Sequence, residues 1–432
     1  MSMEWKKCRL ESISESIQTG PFGSQLHQSD YSEMGTPVIM PKDMVNGTLV
    51  ESSIARISYD HVQRLKRHQV KAGDIIYSRR GDVGRCVLIT KGQEDWICGT
   101  GCLKVSLKKN EVIPSFIIYI LQRKDSVGWV ENHAVGATMP NLNTGILSKL
   151  PLLLPSLPIQ QKISSILSAY DSLIENNTKR IKLLEQMAEN LYKEWFVRFR
   201  FPGHENVEMK KTKLGKLPCS FSITNMNSVI DYYIGGGWGN DEYSNDFPIQ
   251  ASVIRGADFP SVTKYDTSTC PNRFHKESNY KSRQLQDGDI VMEISGGTSE
   301  QPVGRTVLVT QDLIDRFEDG KLICASFCKL IRLKKDVISP YYFYYWMQYL
   351  YDTRIIDRFQ LQSTGIINFK FEPFLKKGDV MLPPMDLMQI FDKHIIPLFQ
   401  EINSLAKQNT LLAHQRNLLL PRLMSGKLEV KP

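Results

Sequence analysis

Two stretches of the chain place apolar residues in the alternating 4–3 rhythm of a coiled coil. The first runs Ile163, Leu167, Tyr170, Ile174, Asn177, Ile181, Leu184, Ala188, Leu191, Trp195. Adding 228 to each number gives the second: Phe391, Ile395, Leu398, Ile402, Leu405, Asn409, Leu412, Arg416, Leu419, Leu423. A seam sustained over so many positions predicts two long helices, each about 60 Å if roughly 40 residues take part. Arg416 is out of keeping with an apolar seam. Pro397 should kink the second helix or mark its true start. Each seam contains one asparagine, and a buried asparagine is a known register device. If antiparallel helices set Asn177 against Asn409, the same register sets Trp195 against Phe391, Ile181 against Leu405 and Leu167 against Leu419. The bland alternative is two separate amphipathic helices, each packed on its own domain.

The stretches ahead of the two helices follow a shorter period. Val38–Met40, Asp74–Tyr77, Cys86–Ile89 and Leu103–Leu107 are short β-prone runs, separated by turn pairs such as Gly20-Pro21, Gly73-Asp74 and Gly81-Asp82. Helices are expected at Ser115–Gln122 and at Tyr341–Tyr351. The second half restates the first. Gly73-Asp74-Ile75 returns as Gly288-Asp289-Ile290, Val83-Gly84-Arg85 as Val303-Gly304-Arg305, Cys98-x3-Cys102 as Cys324-x3-Cys328 and Leu154-Pro155 as Leu382-Pro383. The offsets rise in order through 215, 220, 226 and 228, as a duplication with a few insertions requires. The expected fold is α+β: two similar mixed domains (1–155 and 205–383), each followed by a long helix (156–204 and 384–432), the helices forming an antiparallel coiled coil about a pseudo-twofold axis.

Composition narrows this picture. With 432 residues, 41% hydrophobic and 23% charged, the chain is an ordinary globular protein of two or three domains. Its formal charge of +8 leans towards a polyanionic partner. The lean is local: residues 42–85 hold nine Lys/Arg against five Asp/Glu, whereas residues 255–305 hold seven of each. No run of about 18 apolar residues suggests a membrane span, and the first residues lack the apolar core of a signal peptide. The eight cysteines do not form a disulfide scaffold, so a reducing cytoplasm is the expected home. The repeated Cys-x3-Cys lies in β-like sequence without an adjacent histidine, which favours packing over zinc. No catalytic signature emerges: there is no Asp/Asn-Pro-Pro-Tyr/Phe, no phosphate-loop lysine motif, no His-Glu-x-x-His and no Gly-x-Ser-x-Gly. The chain is expected to be a non-enzymatic part of a larger complex.

The ordered motifs carry a family resemblance. Gly20-Pro21-Phe22-Gly23-Ser24, Gly35-Thr36-Pro37-Val38-Ile39, Gly73-Asp74-Ile75 with Gly84-Arg85, Leu152-Leu153-Leu154-Pro155 with Pro158-Ile159-Gln160-Gln161, and the terminal Leu423–Leu428 together resemble the specificity subunit of a type I restriction–modification system. The resemblance implies two target-recognition domains, each reading half of a bipartite DNA site, with helices that set the spacing. It also implies docking of two modification subunits that methylate adenine N6 with S-adenosylmethionine. Where such a system also cleaves, the resemblance implies restriction subunits using ATP and Mg; this chain itself would hold no cofactor and no metal.

DNA reading needs side chains that reach base edges, Arg to guanine and Asn to adenine, with phosphate contacts to position them. The candidates in the first half are Arg79 and Arg80 in a turn after a strand, Lys42 and the Gly23-Ser24 backbone for phosphate, and Asn141 and Asn143. The two asparagines could equally cap turns. In the second half the arginine pair aligns with Ile294-Ser295, so attention moves to Arg255, Gly256, Lys281 and Arg283. The run Gly235–Gly239 reads as a flexible loop, and the aromatic row from Tyr341 to Trp346 reads as core. Leu184 and Ile402 are the expected subunit-docking positions. A protein-only coiled-coil scaffold and a self-contained nucleic-acid enzyme are the rival readings.

Overall fold

In the computed structural model, which describes residues 5–45, 47–136, 140–298, 301–363 and 366–430, both long seams are helical and both strand-rich stretches form sheet. The chain divides into two compact units, Met1–Leu173 with Leu412–Pro432, and Ile174–Leu411.

Unit 1 contains nine principal strands: β1 (Lys6–Arg9), β2 (Ser14–Thr19), β3 (Thr36–Ile39), β4 (Ala55–Ile57), β5 (Ile75–Ser78), β6 (Cys86–Leu88), β7 (Ile97–Cys98), β8 (Cys102–Leu107) and β9 (Pro151–Leu154). An antiparallel sheet runs β2-β8-β5-β6, a second sheet joins β7 in parallel to β3 and β3 to β4, and β1 pairs with β9. Short helices, among them α1 (Pro114–Leu121) and α2 (Thr144–Leu147), precede the long α3 (Leu157–Tyr192). The first turns of α3 bury Ile163 and Leu167 in one core with Phe116, Leu423 and Met424. Arg416, the misfit of the second seam, donates from Nη1 to Asp171 Oδ1. That carboxylate also accepts the Tyr119 hydroxyl. A charge on the seam is thus matched by a charge from the facing helix.

Unit 2 repeats these nine strands and adds three: β10 (Ser222–Asn225), β11 (Ile230–Gly235), β12 (Ile249–Ile254), β13 (Asn272–His275), β14 (Ile290–Glu293), β15 (Ser295–Gly297), β16 (Thr306–Leu308), β17 (Leu322–Cys324), β18 (Cys328–Leu333), β19 (Gln360–Ser363), β20 (Ile366–Phe369) and β21 (Asp379–Leu382), of which β15, β19 and β20 are the additions. The main sheet runs β11-β18-β14-β16, the second runs β13-β12-β17 with β12 parallel to β17, and β10 pairs with β21. Helices α4 (Pro340–Asp352) and α5 (Phe371–Lys377) stand where α1 and α2 stand in unit 1, and α6 (Met385–Met424) closes the chain. A small sheet, β15-β20-β19, is particular to unit 2 among the described residues.

The repeated motifs are turns, which explains their recurrence. Gly73 and Gly288 take positive φ, +94° and +85°, which only glycine adopts cheaply. The aspartate that follows accepts a backbone N–H three residues back, from Lys71 at 2.8 Å or from Gln286 at 2.7 Å. The Cys-x3-Cys pairs line the cores, all four residues being fully buried. Burial pushes the Cys98 and Cys324 thiols up to about 12, so they stay protonated.

Inside unit 2 the long helices run antiparallel in the expected register. The Trp195 and Phe391 rings lie 5.9 Å apart, and Ile181 and Leu405 share one core. The two asparagines flank one layer without bonding each other: Asn177 Nδ2 donates to Gln408 at 3.4 Å, and Asn409 Nδ2 to Thr178 at 3.4 Å. Two expectations need correction. Helix α6 starts at Met385 and passes through Pro397, so the proline is not its beginning; α3 ends in a π-turn over Lys193–Val197 that buries Trp195 and Phe196. The run Gly235–Gly239 is not a flexible loop. Gly236 N donates to Cys328 O, Gly237 N to Cys324 O, and Arg283 Nε to Gly235 O at 2.8 Å. A Cβ at Gly236 would sit 2.1 Å from the Ala325 carbonyl oxygen, just as one at Gly20 would sit 2.1 Å from that of Gly99. The glycines are there because strand end and turn meet backbone to backbone.

Candidate nucleic-acid interface

In unit 1 the turn after β5 meets the segment that leads into α2. Arg79 N donates to Gly101 O at 2.7 Å, which ties the turn to the Cys98–Cys102 loop. Leu142 N donates to Arg79 O at 2.8 Å, and Arg80 bridges Asn141 in antiparallel fashion. Arg79 Nε donates to Asn141 Oδ1 at 3.2 Å. Three sequence candidates, Arg79, Arg80 and Asn141, therefore form one surface. Arg80 is exposed and Arg79 half-buried, so the two guanidinium groups have different freedom. Gly81 follows at φ +71°, with open space where a Cβ would stand.

The other candidates are distributed elsewhere. Asn143 caps α2, its Oδ1 accepting from Ile146 N at 2.8 Å. Gly23 and Ser24 lie in a short 3-10 turn, the Ser24 side chain falling outside the described residues. Lys42 is exposed in the 3-10 turn Pro41–Asp43.

In unit 2 the expected cations are committed to the protein. Arg255 makes a two-pronged pair with Asp258, at 2.9 and 2.8 Å, and also donates to Thr269 O. That pairing holds the Asp258 carboxyl below its usual range despite burial that pushes the other way. Gly256 O accepts from Arg305 Nη2 at 2.8 Å. Lys281 pairs with Glu277 on its own helix, and Arg283 holds the glycine run. Among the described contacts none joins Arg255, Lys281 and Arg283 to one another, unlike those that join Arg79 and Arg80 to Asn141.

The matching surface in unit 2 is built from residues that the sequence reading did not select. Ile294 N donates to Phe327 O at 2.9 Å, and Phe369 N donates to Ile294 O at 2.8 Å. Ser295 pairs with Asn368 across β15 and β20, its hydroxyl donating to Asn368 Oδ1 at 2.7 Å. The backbone contacts repeat those of unit 1: Ile294 stands for Arg79, Ser295 for Arg80, Phe327 for Gly101 and Asn368 for Asn141, while the side-chain bond to the asparagine comes from Arg79 in unit 1 and from Ser295 in unit 2. An offset of 227, between the 226 and 228 of the neighbouring motifs, carries Asn141 to Asn368; that signal was present in the sequence.

The helix positions expected to dock a partner are largely spent inside unit 2. Ile402 is 5% exposed in the core with Phe259 and Val307, and Leu184 is half-buried against it. The large apolar side chains that α3 and α6 turn outward here are Leu183, Met187, Ile390 and Leu411, at 59%, 56%, 40% and 54% exposure. Among the described residues no group of three or more His, Cys, Asp or Glu is placed to hold a metal. No described helix is long and apolar enough to cross a membrane.

Residues 2–186 match the family described as the type I restriction modification DNA specificity domain. Over its whole length the chain has the fold of a solved type I restriction–modification S subunit from M. genitalium, with a TM-score of 0.60, 15% identity, and 98% of this chain and 96% of that one covered. It is 24% identical over 413 residues to the specificity subunit of the type I restriction enzyme MjaIX of Methanocaldococcus jannaschii, covering 91% of this chain and 87% of the relative. It is 22% identical over 477 residues to that of the type I restriction enzyme HindI of Haemophilus influenzae, covering 98% and 100%.

Proposed function

We propose that this chain is the non-catalytic DNA-reading subunit of a type I restriction–modification complex, and that each unit reads one half of a two-part duplex target. The observation that carries the reading is the duplicated surface, the same turn-and-segment contact built on the same sheets in both units. In unit 1 that surface presents two arginines and an asparagine, the side chains suited to guanine and adenine edges and to phosphate. The chemistry belongs to partners: two adenine-N6 methyltransferase subunits supplying S-adenosylmethionine, and restriction subunits using ATP and Mg where the system includes them.

Docking of the methyltransferase is assigned to the outward face of the long helices rather than to Leu184 and Ile402. Leu183 and Leu411 are repeat-related by 228 residues and both point to solvent. Such a repeat-related pair suits two copies of one partner. Leu183→Glu with Leu411→Glu should abolish co-purification of the methyltransferase while the chain melts as before; an intact complex would count against this face.

The function itself is tested by co-expressing the chain with the methyltransferase of its system and mapping N6-methyladenine by single-molecule sequencing. A two-part motif with a fixed gap is expected. Methylation that is absent, or that persists without this chain, would leave the protein-only scaffold as the better reading.

A further inference from the structure

Unit 2 carries no arginine pair, yet its loop surface is built by the same backbone contacts as that of unit 1. We propose that unit 2 contacts DNA through Ser295, Phe327 and Asn368, a neutral set that selects an A·T pair where unit 1 uses guanidinium groups. The assignment rests on the function proposed above and goes beyond it by naming the site and the chemistry it recognises.

Three observations converge on these residues. Ser295 and Asn368 occupy the Arg80 and Asn141 places and are joined by a 2.7 Å hydrogen bond. Phe327 occupies the place of Gly101, in the turn between β17 and β18, and its backbone carbonyl is bonded to Ile294 N. Phe327 is 65% exposed, where unit 1 has a glycine at φ +86° and no side chain. A single exposed ring is ordinary on a protein surface. This one belongs to a turn whose backbone is bonded to Ile294, the residue before Ser295, which puts it in the same loop contact.

The chemistry of the set differs from that of unit 1 in a definite direction. The major-groove edge of an A·T pair offers a methyl group on thymine and a donor–acceptor pair on adenine. Apolar side chains contact the first, and asparagine matches the second. A guanine edge offers two acceptors and calls for the cations that unit 2 lacks here. Ser295 fixes the Asn368 oxygen, so the amide is held in orientation before DNA arrives. Because no charge takes part, contacts made here release no counterions and depend little on salt.

The test uses the assembled methyltransferase complex and compares the genomic methylation motif of the wild type with those of Arg80→Ala, Phe327→Gly, Ser295→Arg and Asn368→Ala. Arg80→Ala identifies the half-site read by unit 1. Phe327→Gly and Asn368→Ala should relax an A·T position in the other half only, with Kd for the full site raised by about tenfold or more. Ser295→Arg should shift that position towards G·C. Phe327 is exposed, so its removal leaves the unit 2 core intact even if Asn368→Ala weakens folding. Motifs unchanged by Phe327→Gly and Ser295→Arg, beside a normal two-part wild-type motif, overturn this assignment alone. A wild-type complex with no two-part motif overturns the function reading and this assignment with it.

Discussion

Unit 1 and unit 2 share a backbone and differ in what they hang on it. Both close a Gly-Asp turn with a carboxylate, both press a glycine against the carbonyls of a Cys-x3-Cys loop, and both bond that loop to the turn beyond the central strand. At the surface so formed, unit 1 places Arg79 and Arg80 and unit 2 places Ile294 and Ser295. The fold therefore keeps main-chain hydrogen bonds and steric fits while leaving the side chains at the surface free to vary. A scaffold of this kind can change what it recognises without changing how it folds.

The largest expected contrast is in stability. Phe391 is fully buried among Phe196, Trp195 and Tyr192, with ring centroids at 5.0, 5.9 and 6.3 Å. Phe391→Ala should cost unit 2 about 3–5 kcal/mol. Hydrogen exchange should show the weakening in β18 and leave β8 of unit 1 protected; equal weakening in both would mean that the units do not hold themselves together separately.

A smaller effect separates the two surfaces by charge. Replacing Arg79 and Arg80 with Gln should weaken DNA binding by about 1–3 kcal/mol and flatten its salt dependence by about one unit of slope for each phosphate no longer neutralised. Ser295→Ala should leave that slope unchanged. Binding titrations from 50 to 200 mM salt, a range of about fourfold, would distinguish the two, and an equal change in slope would erase the contrast.

The smallest effect is a pair of opposite pH responses. In unit 1, burial and then the neighbouring Arg67 and Lys104 lower the His68 pKa from 6.5 to about 4. Its contribution is fully present above pH 6.5 and is lost as pH falls towards 4. In unit 2, burial raises the Asp392 pKa from 3.8 to about 6, opposed by the Ser339 hydroxyl that donates to it at 2.6 Å. Its contribution is fully present below pH 3.8 and is lost as pH rises through 6. Thermal melts of His68→Gln and Asp392→Asn should each remove one of these slopes. A slope that survives its own substitution would show that another group carries it.

Much of this architecture was legible in the sequence because it rests on periodicity and repetition. The 4–3 spacing gave the helices, and the asparagine positions gave a register that brings Trp195 to Phe391. The polar misfit Arg416 was visible as an oddity, but its partner Asp171 was not, because that pairing depends on where the facing helix runs. The π-turn at Lys193–Val197 had no sequence signal, since π and α segments share the same composition. The arginine pair of unit 1 could be picked out because charge beside a turn is conspicuous. Ser295, Phe327 and Asn368 were missed because neutral residues in short strands and turns are inconspicuous, although the repeat offset of 227 leads from Asn141 to Asn368.

The sequence by itself determined the duplication, the α+β class, the long helices and the turns, because each follows from local spacing or from residues with restricted backbone freedom. Only the tertiary structure decided which residues share a surface. Arg80 and Asn141 are 61 positions apart, and Ser295 and Asn368 are 73 apart. They meet because sheet pairing and backbone hydrogen bonds close those distances. The same closure buries Ile402 in the unit 2 core, whereas the Arg255–Asp258 pair and the Asn143 cap are local contacts spanning three residues.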